Sequence, residues 1–237
     1  MGVGVSHRKK CGTNRLRFPV IRRVSSRMPR PVASWSTTQT PKTGRWPSNS
    51  GIIAVSLDEG DELIGARITN GGNYIFLGSR QGQAIRFSEA DVRAMGRQAR
   101  GVRAMRLAEG DYLVGVEVVE KDGLILSMGE NGYGKRTPLE NYRLTARGGK
   151  GVINMKTTGK TGKVVAILSM REDTDLVIVS QNGKIIRIEA STIRQAGRST
   201  QGVRLVSLEE GDKVAAASVI PDTVNGDGAD EPASPVN

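Results

Sequence analysis

The chain has 237 residues, with 35 Lys and Arg against 24 Asp and Glu, and a formal net charge of +11. Its single Cys excludes an intrachain disulfide, and one Cys with one His makes a His/Cys metal site improbable. No apolar run is long enough to span a bilayer, and residues 1–50 lack the apolar core of a secretory signal, so we expect a cytoplasmic protein.

The first fifty residues hold the whole excess of positive charge. They contain 11 of the cations and no Asp or Glu, so residues 51–237 are neutral overall. Without a period of 2 or 3.6, they are predicted to be an irregular, disordered basic leader. Three interpretations stay open: an arm that neutralises phosphates, a leader without a role, or non-native sequence from a wrong start or an upstream frameshift. The abrupt end where a clean repeat begins favours the third.

From residue 51 the sequence repeats every fifty residues, over 51–100, 101–150 and 151–201, with a partial fourth unit from 202. Glu-Gly-Asp stands at 59–61, 109–111 and 210–212, with Gly-Lys-Thr-Gly in the same place at 159–162. Later in each unit come Gln-Gly at 81–82 and Asn-Gly at 131–132 and 182–183. Gly and Asn supply the positive φ that tight hairpins need. A repeat of this length is typical of propellers, solenoids or arrays.

Short β-prone runs lie between these turns. We predict strands at 52–57, 63–69, 74–79 and 83–87 in the first unit, and at 152–156, 164–170, 176–180 and 184–188 in the third. Residues 88–95 and 189–195 have room for one helical turn. Four short strands per unit predict the blade of an all-β, propeller-like fold.

Three blades and a partial fourth, over residues 51–220, form an incomplete ring. Apolar sheet should be exposed at its ends, and we expect marginal stability or association of the isolated chain. Residues 221–237 are predicted to be an acidic disordered tail.

Catalytic interpretations find little support. No His lies in the repeat region to serve as the base for a nucleophile. Residues 158–161, Thr-Gly-Lys-Thr, resemble part of a phosphate loop, but Asn154 stands where that loop needs Gly, so we predict a surface turn. The Glu-Gly-Asp acids are predicted to be solvated hairpin residues and not a general acid/base pair.

Basic turns at 96–101, 146–151 and 197–202 each open a strand with further cations at alternate positions. If successive blades are related by rotation, these cations form a curved row that suits the phosphates of a bent duplex. The alternative is that they only solvate loops and pair with Glu59, Asp61, Glu109 and Asp111. The candidate DNA-binding residues are Arg97, Arg100, Arg103, Arg106, Lys135, Arg136, Arg147, Lys150, Lys156, Arg198 and Arg204.

Aromatic residues are sparse, which favours duplex binding over the stacking of single strands. Tyr133 and Tyr142 are the candidates for contact in the second unit. Either could instead simply pack in the core.

Residues 50–55, 57–65, 82–87, 95–103 and 130–137 resemble the C-terminal domain of DNA gyrase A, and less closely that of the corresponding protein of topoisomerase IV. The resemblance extends from Ser50 to about Ile220. It implies a six-bladed β-pinwheel, a propeller-like ring with altered strand connections. It also implies that the rim wraps duplex DNA, without sequence preference, so that the parent enzyme introduces negative supercoils in an ATP-dependent reaction.

On this resemblance the chain corresponds to the last blades and acidic tail of a gyrase A protein, and we expect it to be nucleoid-associated. It lacks the breakage-reunion domain with the DNA-linking tyrosine, so it should be inactive alone and hold no cofactor. ATP and Mg would bind elsewhere in the parent enzyme, a type II DNA topoisomerase whose other parts are the rest of gyrase A together with gyrase B. Alternatives are a topoisomerase IV domain or a propeller-type protein-interaction module.

The family's signature box, Q-R-R-G-G-K-G, belongs to its first blade. Residues 145–151 are similar to the box at R-G-G-K-G but lack the leading Gln-Arg. A wrapping role for Arg147 and Lys150 is therefore a hypothesis.

Overall fold

The computed structural model describes residues 3–7, 17–24, 55–96 and 99–220, and for the first two ranges only the backbone pairing is considered. The strands within these residues are β1 (Val3–His7), β2 (Arg17–Val24), β3 (Asp61–Ala66), β4 (Tyr74–Ser79), β5 (Gln83–Ser88), β6 (Leu113–Val119), β7 (Leu124–Gly129), β8 (Tyr133–Pro138), β9 (Val152–Ile153), β10 (Val164–Met170), β11 (Asp175–Ser180), β12 (Ile185–Glu189), β13 (Val203–Arg204) and β14 (Val214–Ile220).

The repeating element is an antiparallel hairpin, formed by β4–β5, β7–β8 and β11–β12. Its turn contains a glycine with positive φ in each case, at Gly82, Gly132 and Gly183 (φ 81–84°). A single 3₁₀ turn follows each hairpin, at Glu89–Asp91, Leu139–Asn141 and Ala190–Thr192. These turns confirm the prediction that the segments after the hairpins hold no more than one helical turn.

Each sheet takes strands from successive units. The sheets run β6-β4-β5-β9, β10-β7-β8-β13 and β12-β11-β14, and we call them the first, second and third blades. The predicted all-β, propeller-like architecture is confirmed. The four strands of one fifty-residue unit, however, do not share a sheet, because the strand that follows the basic segment returns to pair with the preceding hairpin.

The predicted strand at 152–156 is also shorter in the structure. Only Val152 and Ile153 pair with β5, and Asn154 and Met155 then donate to the carbonyl of Gly82 in the hairpin turn. In the first unit, residues 55–57 of the predicted strand at 52–57 are not a strand, and residues 51–54 lie outside the described ranges.

Two segments of the leader, predicted to be irregular, are strands in the structure. β1 and β2 form a hairpin, and β2 pairs with β3. In the later units the strand equivalent to β3 pairs with a hairpin strand of the unit before it. In β3 the main-chain groups on the corresponding edge are available for pairing, and β2 pairs with them. The remainder of residues 1–50 and the predicted tail at 221–237 lie outside the described residues.

The apolar core lies between consecutive blades. Phe76 of the first blade meets Tyr142 of the second edge to face, with ring centroids 4.8 Å apart. Both belong to a cluster that also holds Ile125 and Ile167. Neighbouring blades therefore bury each other's sheets, as repeat folds require.

In two of the three Glu-Gly-Asp turns the Asp is structural, which corrects the prediction that these acids are solvated. Asp111 and Asp212 are each only 6% exposed. Their carboxylates accept hydrogen bonds from the main-chain N–H of Gln81 and Asn182, in the turn of the hairpin that the following return strand joins (3.0 and 3.1 Å). The acid is buried because it satisfies a turn N–H that has no partner in the sheet. Fully buried Thr161 stands in the same place in the third unit.

Among the described residues, no helix has the length and apolar character needed to cross a membrane.

Candidate nucleic-acid interface

Three acid-free segments follow the 3₁₀ turns, at residues 93–106, 143–156 and 194–204, and we call them the perimeter segments. Each of the last two begins beside the outer edge of a hairpin. Leu144 bridges to Arg86 on β5, and Gln195 bridges to Arg136 on β8. The segment then continues into the short outer strand, β9 or β13, of the same sheet.

Neighbouring perimeter segments are hydrogen-bonded to one another. Between the first and second, Arg106 N–H donates to the Gly149 carbonyl (2.8 Å), and Gly148 N–H donates to the Ala104 carbonyl (2.7 Å). The Arg147 guanidinium donates to the carbonyls of Arg103 (3.2 Å) and of Asp91 (3.0 Å). The fold thus brings together cations that are far apart in sequence: Arg103, Arg106, Arg147 and Lys150.

The second joint has the same form. Lys156 N–H donates to the Thr200 carbonyl (3.1 Å), and the Arg198 guanidinium donates to the Ile153 carbonyl (3.3 Å). Lys156 and Arg198 are therefore neighbours. The cations that follow one basic turn lie beside the next basic turn, so the perimeter is continuous between units.

Glycine is required where a perimeter segment joins the sheet. Gly151 has φ of 79°, and a Cβ on it would lie 2.3 Å from the Ala84 carbonyl oxygen. Gly202 has φ of 77°, and its Cβ would lie 2.4 Å from the Gly134 carbonyl oxygen. Any larger residue would displace the segment from the blade edge.

Most of the predicted cations reach solvent. The exposed ones are Arg100, Arg103, Arg106, Arg147, Lys150, Lys156 and Arg204, and Arg198 is half-buried. Arg97 lies outside the described residues. Among the described candidates, Arg100 forms an ion pair with Asp58 (3.5 Å), which is not one of the four acids named in the alternative. Both side chains are more than half exposed, so the pair contributes little.

Lys135 and Arg136 do not belong to this surface, which corrects the prediction for both. Lys135 is 0% exposed and Arg136 is 5% exposed. The Arg136 guanidinium donates to the carbonyls of Ile193 (2.7 Å) and Ser191 (3.2 Å), at the 3₁₀ turn of the third blade. Both side chains are buried, and Nε and Nη2 of Arg136 donate to main-chain carbonyls, so neither cation lies where it could meet a phosphate.

Arg86 occupies the same position in the first blade as Arg136 in the second. It donates to the carbonyls of Leu139 (3.1 Å) and Tyr142 (3.3 Å), at the 3₁₀ turn of the next blade, and its guanidinium lies over the Tyr74 ring (4.3 Å). These arginines link consecutive blades, a role that the sequence did not lead us to predict. The available signal was an Arg that recurs at one repeat position inside a β-prone run.

The two candidate aromatic contacts both pack inside the protein. Tyr133 is 8% exposed and Tyr142 is 1% exposed. The Tyr133 hydroxyl accepts hydrogen bonds from the Arg204 guanidinium (3.0 and 3.2 Å), and the Lys160 ammonium lies 5.2 Å from the ring centroid. Arg204 is therefore held at the perimeter by a buried tyrosine.

Hairpin-centred blades with exchanged strands and a cationic perimeter define a propeller-type repeat domain. A model of the DNA gyrase C-terminal domain, β-propeller, matches residues 48–70, 73–120, 124–169 and 174–221. The chain belongs to this family. Each of the last three matches spans a hairpin and the return strand that pairs with it.

Similar proteins agree with this assignment. The chain is 40% identical to the DNA gyrase A protein of Pseudomonas aeruginosa over 186 residues, 78% of this chain and 20% of that protein. The figures for the DNA gyrase A protein of Staphylococcus aureus are 40%, 78% and 21%. The chain thus spans about a fifth of the length of these relatives.

Solved structures show the same fold. A DNA gyrase A C-terminal domain superposes with a TM-score of 0.67 at 30% identity, over 71% of this chain and 58% of that one. The C-terminal domain of a DNA topoisomerase IV superposes with a TM-score of 0.68 at 24% identity, over 71% and 53%.

Proposed function

We propose that the chain binds duplex DNA through the exposed cations of the perimeter segments and bends it along the blade edges. Within a protein of the gyrase A type, such binding would support ATP-dependent negative supercoiling. The observation that carries the proposal is the direct hydrogen bonding between successive acid-free segments, because it joins their cations into a continuous surface.

The surface has the chemistry for phosphate contact without base recognition. Arg and Lys side chains on an exposed edge bind the backbone of DNA and carry no sequence information. Tyr133 and Tyr142 are buried, so neither offers a face on which a base could stack. A double-stranded ligand of any sequence therefore fits better than a single strand.

The chain would supply geometry to the parent enzyme and no reacting group. In the proposed assembly, ATP and Mg bind elsewhere, and the rest of gyrase A together with gyrase B carries out strand passage. The role of this part is to hold a curved DNA segment near them.

The test compares two double variants of equal charge change. Lys150→Ala with Lys156→Ala removes exposed cations from two adjacent joints, and Lys121→Ala with Arg171→Ala removes exposed cations from the loops that precede β7 and β11. Fluorescence anisotropy with a random-sequence duplex is measured across a salt series. The perimeter variant should lower the log–log salt slope by about 0.9 for each lost phosphate contact. The loop variant should leave the slope unchanged.

Equal slopes for the wild-type chain and the perimeter variant would overturn the proposal. Binding that does not respond to salt would favour a protein-interaction module instead.

A further inference from the structure

The second blade has a buried polar cluster at positions of the repeat that are apolar in the first and third blades. Five positions of the repeat carry polar side chains there, each at most 1% exposed. These are Ser127, Lys135, Thr137, Tyr142 and Asn154. The equivalent residues of the first blade are all in one apolar cluster: Leu77, Ile85, Phe87, Val92 and Ala104. Those of the third blade are apolar as well: Ile178, Ile186, Ile188, Ile193 and Leu205.

Three members of the cluster satisfy one another. The Tyr142 hydroxyl donates to the Asn154 side-chain oxygen (2.5 Å), and the Asn154 amide donates to the Ser127 hydroxyl (2.8 Å). Burial raises the pKa of Tyr142, so this hydroxyl keeps its proton. Asn154 lies in the second perimeter segment, which the cluster therefore ties to the hairpin.

The other two members hold the third basic turn. The Lys135 ammonium donates to the carbonyls of Gly197 (2.6 Å) and Arg198 (2.5 Å), and the Thr137 hydroxyl donates to the carbonyl of Ala196 (2.9 Å). Three successive carbonyls of the turn are thus held against β8. Arg198, within this turn, is the cation that lies beside Lys156.

A buried lysine at position 135 makes the fold less stable than an apolar side chain at the same position would. Burial removes the ammonium from water and lowers the pKa of Lys135 to about 8, and the nearby positive charge of Arg198 adds to this effect. Arg198 is the charged group that acts on the Lys135 ammonium, and among the described residues no carboxylate forms an ion pair with that ammonium. Isoleucine stands at this position in the first and third blades. A costly polar group where apolar residues serve the same fold indicates a functional site.

We propose that Lys135 is a positioning residue, which fixes the turn at residues 197–200 so that Arg198 and Lys156 meet the DNA backbone together. The inference rests on the proposed function. Hydrogen bonds from a charged donor are about twice as strong as those from a neutral one, so the turn is held most firmly while Lys135 is protonated. A protonated Lys135 also places a positive charge directly behind the turn.

The test uses the full chain with Lys135→Met, and with Lys135→Ile as a second variant that reproduces the residue of the other two blades. Lys156→Met is the control, because it removes an exposed cation of the same joint. Duplex affinity is measured by anisotropy from pH 7 to 9.5 at constant ionic strength. Amide hydrogen exchange of the peptide that covers residues 196–201, corrected for the intrinsic rate, is followed by mass spectrometry.

Wild-type affinity should fall as the pH rises through about 8. Both Lys135 variants should bind weakly and without that pH dependence, and their turn amides should exchange faster at pH 7. Lys156→Met should weaken binding at every pH and keep the wild-type profile. Turn exchange and a pH profile that match the wild type in both Lys135 variants would overturn the inference. If the wild-type chain binds no duplex at all, the proposed function fails, and the exchange rates still decide whether Lys135 holds the turn.

Discussion

Alanine at Gly151 should destabilise the protein more than alanine at the other glycines of the same turn. The three positions form a series. Gly151 has φ of 79° and a Cβ position 2.3 Å from the Ala84 oxygen, and Gly148 has φ of 84° but a nearest atom at 3.7 Å. Gly149 has no left-handed φ, and the nearest atom to its Cβ position is a side-chain methyl of Ile85 at 3.6 Å.

The magnitudes follow from these distances. A left-handed conformation costs a non-glycine residue roughly 1–2 kcal/mol, so Gly148→Ala should lose about that much. Gly151→Ala carries the same cost, and it must also push β9 away from β5. Each hydrogen bond lost there adds about 1 kcal/mol, for a total of about 3–4 kcal/mol. Gly149→Ala should be neutral or stabilising by up to about 1 kcal/mol, because it restricts the unfolded chain.

Urea unfolding followed by circular dichroism measures the series. The midpoints should rank Gly149→Ala highest, then Gly148→Ala, then Gly151→Ala, with an unchanged m-value. A midpoint for Gly151→Ala at or above that of Gly148→Ala would refute the claim that close approach to the blade edge fixes this turn.

Three further predictions concern the charged and apolar residues of the hairpins. Arg136→Met should lower the free energy of unfolding by about 2–4 kcal/mol, because buried carbonyls lose their donor. Arg187→Ala, at the equivalent position of the third blade, should change the free energy of unfolding by less than about 0.5 kcal/mol. Ile185 is 71% exposed on β12, so Ile185→Lys should reduce any concentration-dependent association seen by sedimentation. The free energy of unfolding of the wild type relative to Lys135→Met should rise between pH 8 and 10.

The sign of the pH effect follows from linkage. The pKa of Lys135 is lowered to about 8 in the folded protein, and that of an unfolded lysine is near 10.5. Between these values the unfolded chain binds more protons, so raising the pH stabilises the fold, by on the order of 3 kcal/mol at most. A pH-independent difference between the two proteins would show that the ammonium is not desolvated.

The other two predictions also have outcomes that contradict them. Equal losses for Arg136→Met and Arg187→Ala would mean that the carbonyls at the 3₁₀ turn do not need the buried guanidinium. Association that persists unchanged in Ile185→Lys would place the contact elsewhere than the β12 edge.

Local turn chemistry made the hairpins predictable from the sequence. The hairpin strand 74–79 has its predicted bounds, because a glycine with positive φ beside a short apolar run identifies a hairpin without knowledge of its surroundings. Which hairpin a return strand joins could not be derived in the same way. The β-prone run of β6 fits any open edge, and its partner is decided by packing between blades.

The acid-free perimeter segments were also visible in the sequence. Their direct hydrogen bonding in pairs was not, since it joins residues more than forty positions apart, such as Arg106 and Gly149. Lys135 and Arg136 were assigned wrongly because consecutive cations beside glycines resemble a surface turn. Their burial depends on carbonyls of a later unit, which no local pattern reveals.

The register of a cation in the repeat therefore decides whether it serves the fold or the surface. An Arg in the middle of the second hairpin strand faces the next blade, and Arg86 and Arg136 find main-chain carbonyls there. Arg187 has the same register, and among the described residues it forms an ion pair with Asp175 instead. A cation in a perimeter segment has its main chain bonded to the neighbouring segment, which leaves most of these side chains in solvent. Each joint links perimeter segments from two different units. A change in the angle between blades must therefore move the cations of one joint relative to those of the next. In the proposed complex, the packing between blades would set the curvature of the bound duplex, and Arg136→Met should alter DNA bending without touching the DNA surface.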